Sequence, residues 1–143
     1  MEPSEQIRLD VKEAMRAGEK ERLGALRMLL SELQKDAKEG PGDEQAVLRR
    51  ERKRRLESAG AFREAGRDDL AAHEDFEAQM IAAYLPAELG DEELDELVRQ
   101  AVADSGASSQ KDMGTAMRAA MQAVDGRADG KRVSGIVKAA LGA

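Results

Sequence analysis

The chain has 143 residues, enough for one or two modest hydrophobic cores and too few for a large multi-domain enzyme. Hydrophobic residues make up 41% and charged residues 36%, with a net charge of -6, which excludes a disordered polymer and implies a folded core under a highly charged surface. Cysteine is absent, removing disulfides, thiolate catalysis and thiolate metal sites together, and aromatics are only 2%, a balance that favours helix over sheet.

Ser4 is placed to cap a first helix that carries Ile7, Val11, Ala14 and Met15 on one face and is interrupted at Gly18. Leu23, Leu26, Leu30, Leu33 and Ala37 then recur at spacings of three and four, which predicts a second helix over 19–39. Gly40-Pro41-Gly42 stops it, because proline cannot continue the hydrogen-bond ladder and glycine readily takes the left-handed terminal conformation. Asp43 opens a third helix over 43–65, with Leu48, Leu56, Ala59 and Phe62 expected to face inward and Gly66 ending it. A fourth starts near Asp68 or Asp69, whose carboxylates suit the positive end of a helix dipole, and closes at Tyr84-Leu85-Pro86.

Residues 86–90 read as a linker. Beyond it, a helix from Asp91 to Gly106 presents Leu94, Leu97, Val98 and Ala101, and Ser108 or Ser109 caps the next. There Met113, Met117, Ala120, Met121 and Val124 share a face, which serves a core or, if the helices close loosely, a groove for a partner helix. After a turn at Gly126–Gly130, a last helix over 131–141 offers Val133, Ile136, Val137, Ala140 and Leu141 to the core. The expected fold class is all-α: an N-terminal bundle of about four helices over 1–85, the linker, and a small three-helix domain over 91–143.

Chemistry-bearing motifs are sparse. No glycine-rich phosphate loop and no dinucleotide fingerprint occur, and Gly130-Lys131-Arg132 does not substitute for them. Ser58, Ser105 and Ser134 stand in no recognisable nucleophile motif. His73, the single histidine, has Glu74 and Glu77 nearby, but one imidazole in a Glu-rich helix reads as a surface or interface residue. No catalytic residue, metal site or cofactor is therefore expected. No apolar run reaches the roughly 18 residues of a membrane span. The start Met-Glu-Pro-Ser-Glu lacks the regions of a signal peptide, so a cytoplasmic, membrane-free protein is expected.

Charge is unevenly distributed. Residues 86–106 carry seven acids and one base, whereas residues 107–143 carry six bases and three acids. A basic tail on an acidic protein is suited to guiding a polyanion to one place. Its cations are Lys111, Arg118, Arg127, Lys131, Arg132 and Lys138, two of them at the start of the last helix, where outward-pointing amides also favour an anion. Phosphate binding and ordinary surface charge both remain open there. Gly114 adds a place where a neighbouring backbone, or a phosphate or ribose, can approach closely. The other basic run, Arg49 to Arg55, wraps most of the way round its helix, so it cannot face one ligand. Glu51 with Arg55 is a favourable i,i+4 pair within it.

Three stretches together resemble the YqeY family: Leu26-Arg27-Met28; Gly66-Arg67-Asp68-Asp69-Leu70 running to Tyr84-Leu85-Pro86; and Asp112-Met113-Gly114 through Met117 and Met121 to Gly126-Arg127-Ala128-Asp129-Gly130. The last also resembles the C-terminal tail domain of GatB, the tRNA-binding subunit of glutamine-dependent tRNA amidotransferases. The resemblance implies an all-helical two-part fold and a role near translation. It implies a non-catalytic tRNA-interacting or amidotransferase-related accessory protein, with structured tRNA as partner, amidotransferase subunits or a tRNA synthetase as further partners, and no DNA. The tail pattern, joined to the basic set, points to Lys111, Gly114, Arg118, Gly126, Arg127, Gly130, Lys131, Arg132 and Lys138 as tRNA-binding candidates. The alternatives are a helical interaction adaptor and a component of a carbon–nitrogen ligase with glutamine as amide donor, an activity associated with the family by resemblance and not expected of this chain alone.

Overall fold

A computed structural model describes residues 1–142. Among them are seven α-helices, one short 3-10 turn and no strand. In chain order these are α1 (Pro3–Ala17), α2 (Lys20–Glu39), α3 (Glu44–Glu64), α4 (Asp68–Ala82), α5 (Asp91–Asp104), the turn Gln110–Asp112, α6 (Met113–Val124) and α7 (Gly130–Ala140). They divide into two compact units, Met1–Pro86 and a second beginning at Ala87. No helix among the described residues is long and apolar enough to cross a membrane.

In the first unit α1 packs on α2 and α3 forms a hairpin with α4. The core consists of Ile7 and Ala14 from α1, Leu26, Leu29 and Leu33 from α2, Val47 and Leu48 from α3 and Ile81 from α4. Several stops are set by local chemistry. Gly18 takes φ 70, a left-handed cap that a side chain would disfavour, and the Asp43 carboxylate accepts from the Ala46 amide at 3.1 Å. Tyr84, at the end of α4, donates its hydroxyl to Asp10 of α1.

Two expectations are corrected in this unit. Ser4 caps nothing: Glu2 holds the cap position of α1, and the Ser4 amide and hydroxyl both donate to the Glu44 carboxylate at 2.8 Å. One carboxylate thereby satisfies an orphan amide of α1 while standing in the first turn of α3, which a local hydroxyl cap cannot do. Leu56 does not face inward but is 42% exposed, whereas Glu51 is 2% exposed. Leu56 lies at the margin of the α3–α4 hairpin, lining an open pocket with Asp75, Ala78, Gln79 and Ala82 of α4, so it stays partly in solvent.

The second unit is a three-helix bundle in which α5, α6 and α7 all touch one another. Its core holds Leu89, Leu94, Val98, Val102, Ala116, Ala120, Val124, Ala128, Val133, Val137 and Leu141. The stretch 86–90 therefore does more than connect, because Leu89 is buried with the core and its amide donates to the Arg127 carbonyl at 2.8 Å. The expected methionine stripe is displaced. Ala116, Ala120 and Val124 line the centre, Met113 and Met117 are half-buried at its margin, and Met121 is exposed. Small residues let α6 approach its two neighbours closely, and the longer methionines fill the periphery.

Candidate functional site

The second unit presents the basic residues on two helices and the turn between them. Lys111 is exposed in the 3-10 turn, where the Asp112 carboxylate accepts from the amides of Ser108 at 2.9 Å and Ser109 at 3.3 Å. Gly114 and Arg118 stand one turn apart and exposed on α6, and Arg118 Nη2 reaches Thr115 Oγ1 at 3.5 Å. Asp125 and Gly126 adopt φ 49 and φ 76, two successive left-handed residues that reverse the chain out of α6.

Next come residues with partners inside the unit. Arg127 Nε donates to the Ala87 carbonyl at 3.1 Å, beside the Leu89 bond to its own carbonyl. Arg132 Nη2 donates to the Leu89 carbonyl at 3.1 Å and to Asp91 Oδ1 at 2.8 Å. These two arginines hold residues 87–91 against the start of α7. Asp129 caps α7 by accepting from the Lys131 amide at 2.9 Å, so an internal carboxylate already occupies the anion-favouring end of this helix. Gly130 is the half-buried first residue of α7.

Lys131 and Lys138 remain. Both are exposed, and seven residues apart on α7 they share one face, about 10 Å apart along the axis. Gly135 lies exposed between them and leaves the helix backbone open. Lys111, Lys131 and Lys138 have no carboxylate within ion-pair distance among the described residues. Meanwhile the first turn of α5 is acidic, with Asp91, Glu92 and Glu93, and Asp95 pairs with Arg99 at 3.1 Å. The unit is thus bipolar: α5 carries the acids, α6 and α7 the bases.

The first unit contains a polar cluster that sequence reasoning caught in part. Glu51 Oε1 accepts from Arg55 Nη1 at 2.8 Å, the expected i,i+4 pair, and Oε2 accepts from Arg54 Nη1 at 2.9 Å. Arg55, itself mostly buried, also reaches Glu77 Oε2 of α4 at 3.4 Å, the Glu51 carbonyl at 3.3 Å and Met28 Sδ at 3.5 Å. Burial opposes ionisation of Glu51, but the hydrogen bonds and charges of Arg55 and Arg54 outweigh it and hold the carboxyl below its usual range. For Arg55 burial again opposes the charge, and Glu51 and Glu77 override it, raising its pKa. His73 Nδ1 lies 2.6 Å from Glu21 Oε1 and its Nε2 3.6 Å from Glu77 Oε1. The cluster opens on a cavity of about 410 Å³ also lined by Glu32, Ser58 and Glu74.

The signal for Glu51 was present, since it continues the stripe through Val47 and Leu48. The role of Glu77 was not visible, because its partner is 22 residues away in another helix. Among the described residues no group of three or more His, Asp or Glu side chains is arranged to hold a metal ion. Arg55 is committed to these internal partners and offers little to an external anion. The arrangement supplies ion pairing within the fold and, in the second unit, a cationic surface.

The fold and these surfaces define an all-helical protein of two compact units whose exposed charge is sorted by helix. The family of Yqey-like proteins matches residues 4–141, nearly the whole chain, and the protein belongs to that family. No curated protein matches the sequence.

Proposed function

We propose that this protein binds structured RNA, tRNA first among it, through the basic face of its second unit, and serves as a non-catalytic accessory to tRNA charging or amidation. The single observation that carries the reading is the pair Lys131 and Lys138 on one open face of α7, cations with no carboxylate within ion-pair distance among the described residues. Lys111 and Arg118 extend the cationic surface on the neighbouring segment. Such side chains contact phosphate and ribose and read shape, and the tail lacks the aromatic residues that stack on single-stranded bases. The preference for tRNA rests on the resemblance of residues 112–130 to the GatB tail, and the cytoplasm is the compartment it requires. Arg127 and Arg132 play a supporting part, since both hold residues 87–91.

The test is a titration of the full chain with total tRNA at several salt concentrations, alongside Lys131→Glu/Lys138→Glu. Four phosphate contacts give a log–log salt slope of about -3 to -4, and reversing two of the four charges weakens binding at least about tenfold. Absence of wild-type binding at low salt, or an unchanged affinity in the double variant, removes the reading. One observation favours an adaptor as second reading: Leu56 and Phe76 are each 42% exposed on the α3–α4 hairpin. Loss of a protein partner on Leu56→Ser/Phe76→Ser with tRNA binding intact would support it.

A further inference from the structure

Arg132 stands in the first turn of α7 beside Lys131, two cations at the positive end of a helix dipole, a placement that favours a nearby anion. Asp129 caps the helix there through the Lys131 amide, and a second carboxylate, Asp91, lies 2.8 Å from Arg132 Nη2. This carboxylate is held by little else, since its side chain is 98% exposed while that of Arg132 is 35% exposed. An ion pair so open to water is weak and easily exchanged. The second bond of Nη2, to the Leu89 carbonyl at 3.1 Å, keeps the guanidinium in place whether or not Asp91 stays. A guanidinium carries five N–H donors in a fixed fork that fits phosphate as well as carboxylate, and here both contacts converge on one nitrogen.

We propose that Asp91 is an internal stand-in for phosphate at Arg132, and that a docking polyanion exchanges the Asp91 carboxylate for a phosphate oxygen. The proposal rests on the RNA-binding reading above and gives that face a built-in competitor. The exchange costs α5 little, because a released Asp91 still complements the positive end of its own helix. Arg132 thus joins exposed Lys131 as one anion-binding pair when a phosphate arrives, and returns to Asp91 when it leaves. A weak, loosely folded or low-charge anion displaces Asp91 poorly, so the competitor raises the threshold for docking.

The experiment titrates inorganic phosphate, at constant ionic strength, into the ¹⁵N-labelled full chain and follows the Arg132 Nε–H resonance in wild type, Asp91→Asn and Glu92→Gln. The two variants remove one negative charge each from the first turn of α5, so their long-range fields match. Only Asp91→Asn removes the contact. Half-saturation is expected at about threefold lower phosphate in Asp91→Asn than in Glu92→Gln, the scale of an exposed ion pair. Equal titrations in the two variants, or no phosphate response at Arg132 in any of the three proteins, overturn the proposal. The same three proteins titrated with tRNA separate it from the reading beneath it. Absent tRNA binding with the phosphate difference intact removes the RNA reading alone, and intact tRNA binding with equal phosphate titrations removes this proposal alone.

Discussion

Replacing Glu51 by Gln keeps the shape of the side chain and removes the charge from the most buried ionic group of the first unit. The carboxylate accepts from Arg55 at 2.8 Å and from Arg54 at 2.9 Å. A hydrogen bond between charged groups contributes about 1.5–3 kcal/mol when sheltered, whereas the largely exposed Arg54 adds only about 0–1 kcal/mol. Gln retains one acceptor, and Arg55 keeps Glu77 at 3.4 Å, so the charge on Arg55 is not stranded. The net loss is about 2 kcal/mol, less than the roughly 3–5 kcal/mol of breaking a buried pair outright, because neither partner is left wholly uncompensated. For a unit of this size that lowers the midpoint of thermal unfolding by roughly 8–16 °C. Tyr84, the one tyrosine of a chain without tryptophan, belongs to the first unit, so tyrosine fluorescence reports that unit's unfolding. The pH dependence has a definite sign. The folded pKa of Glu51 lies below its ordinary value of 4.5, so its contribution is fully present above about pH 4.5 and disappears as pH falls through the folded value. The gap between wild type and Glu51→Gln is accordingly full at neutral pH and narrows under acid. Equal midpoints at pH 7, or a gap that persists unchanged well below pH 4.5, would refute the reasoning.

Two further outcomes follow from the same structure. Burial, then the hydrogen bond and charge of Asp10, raise the pKa of Tyr84 far above its ordinary 10.0, so this group contributes stability that is whole below pH 10 and lost as pH rises beyond it. Phenolate absorbance should appear only as the first unit unfolds in alkali, and an independent titration near pH 10 in the folded protein would contradict the burial. Arg127→Ala removes the bond to the Ala87 carbonyl and should cost the second unit about 1 kcal/mol in urea unfolding followed by amide resonances. Its salt slope for tRNA should stay within about 0.3 of wild type, while Lys131→Ala flattens the slope by about 0.7 to 0.9. A larger change in slope for Arg127→Ala than for Lys131→Ala would reverse the roles assigned to them.

Legibility differs by the range of the interaction. Gly18, the Gly40-Pro41-Gly42 stop and the Asp43 cap act within a few residues, so the ends of the helices could be read directly. The stripe through Leu26 and Leu33 was equally plain, although the core also takes Leu29, because α2 buries a wider face than one row. The candidate cations were all visible as residue types. Their division into open lysines and occupied arginines was not. Lys131 is released to solvent by its place on the outer face of α7, whereas Arg127 and Arg132 find partners about 40 residues earlier in the chain.

The sequence by itself determined the all-helical class, the breaks between helices, the sorting of acid to 86–106 and base to 107–143, and the YqeY resemblance that the family match bears out. All of these are set by residue type, spacing of a few positions or net charge. Only the tertiary structure decided that Ser4 serves Glu44, that Glu51 is buried while Leu56 is not, and that Asp91 occupies Arg132. Each of these turns on which side chains meet across separate helices, and helical periodicity shows the face a residue occupies without naming the neighbour opposite it.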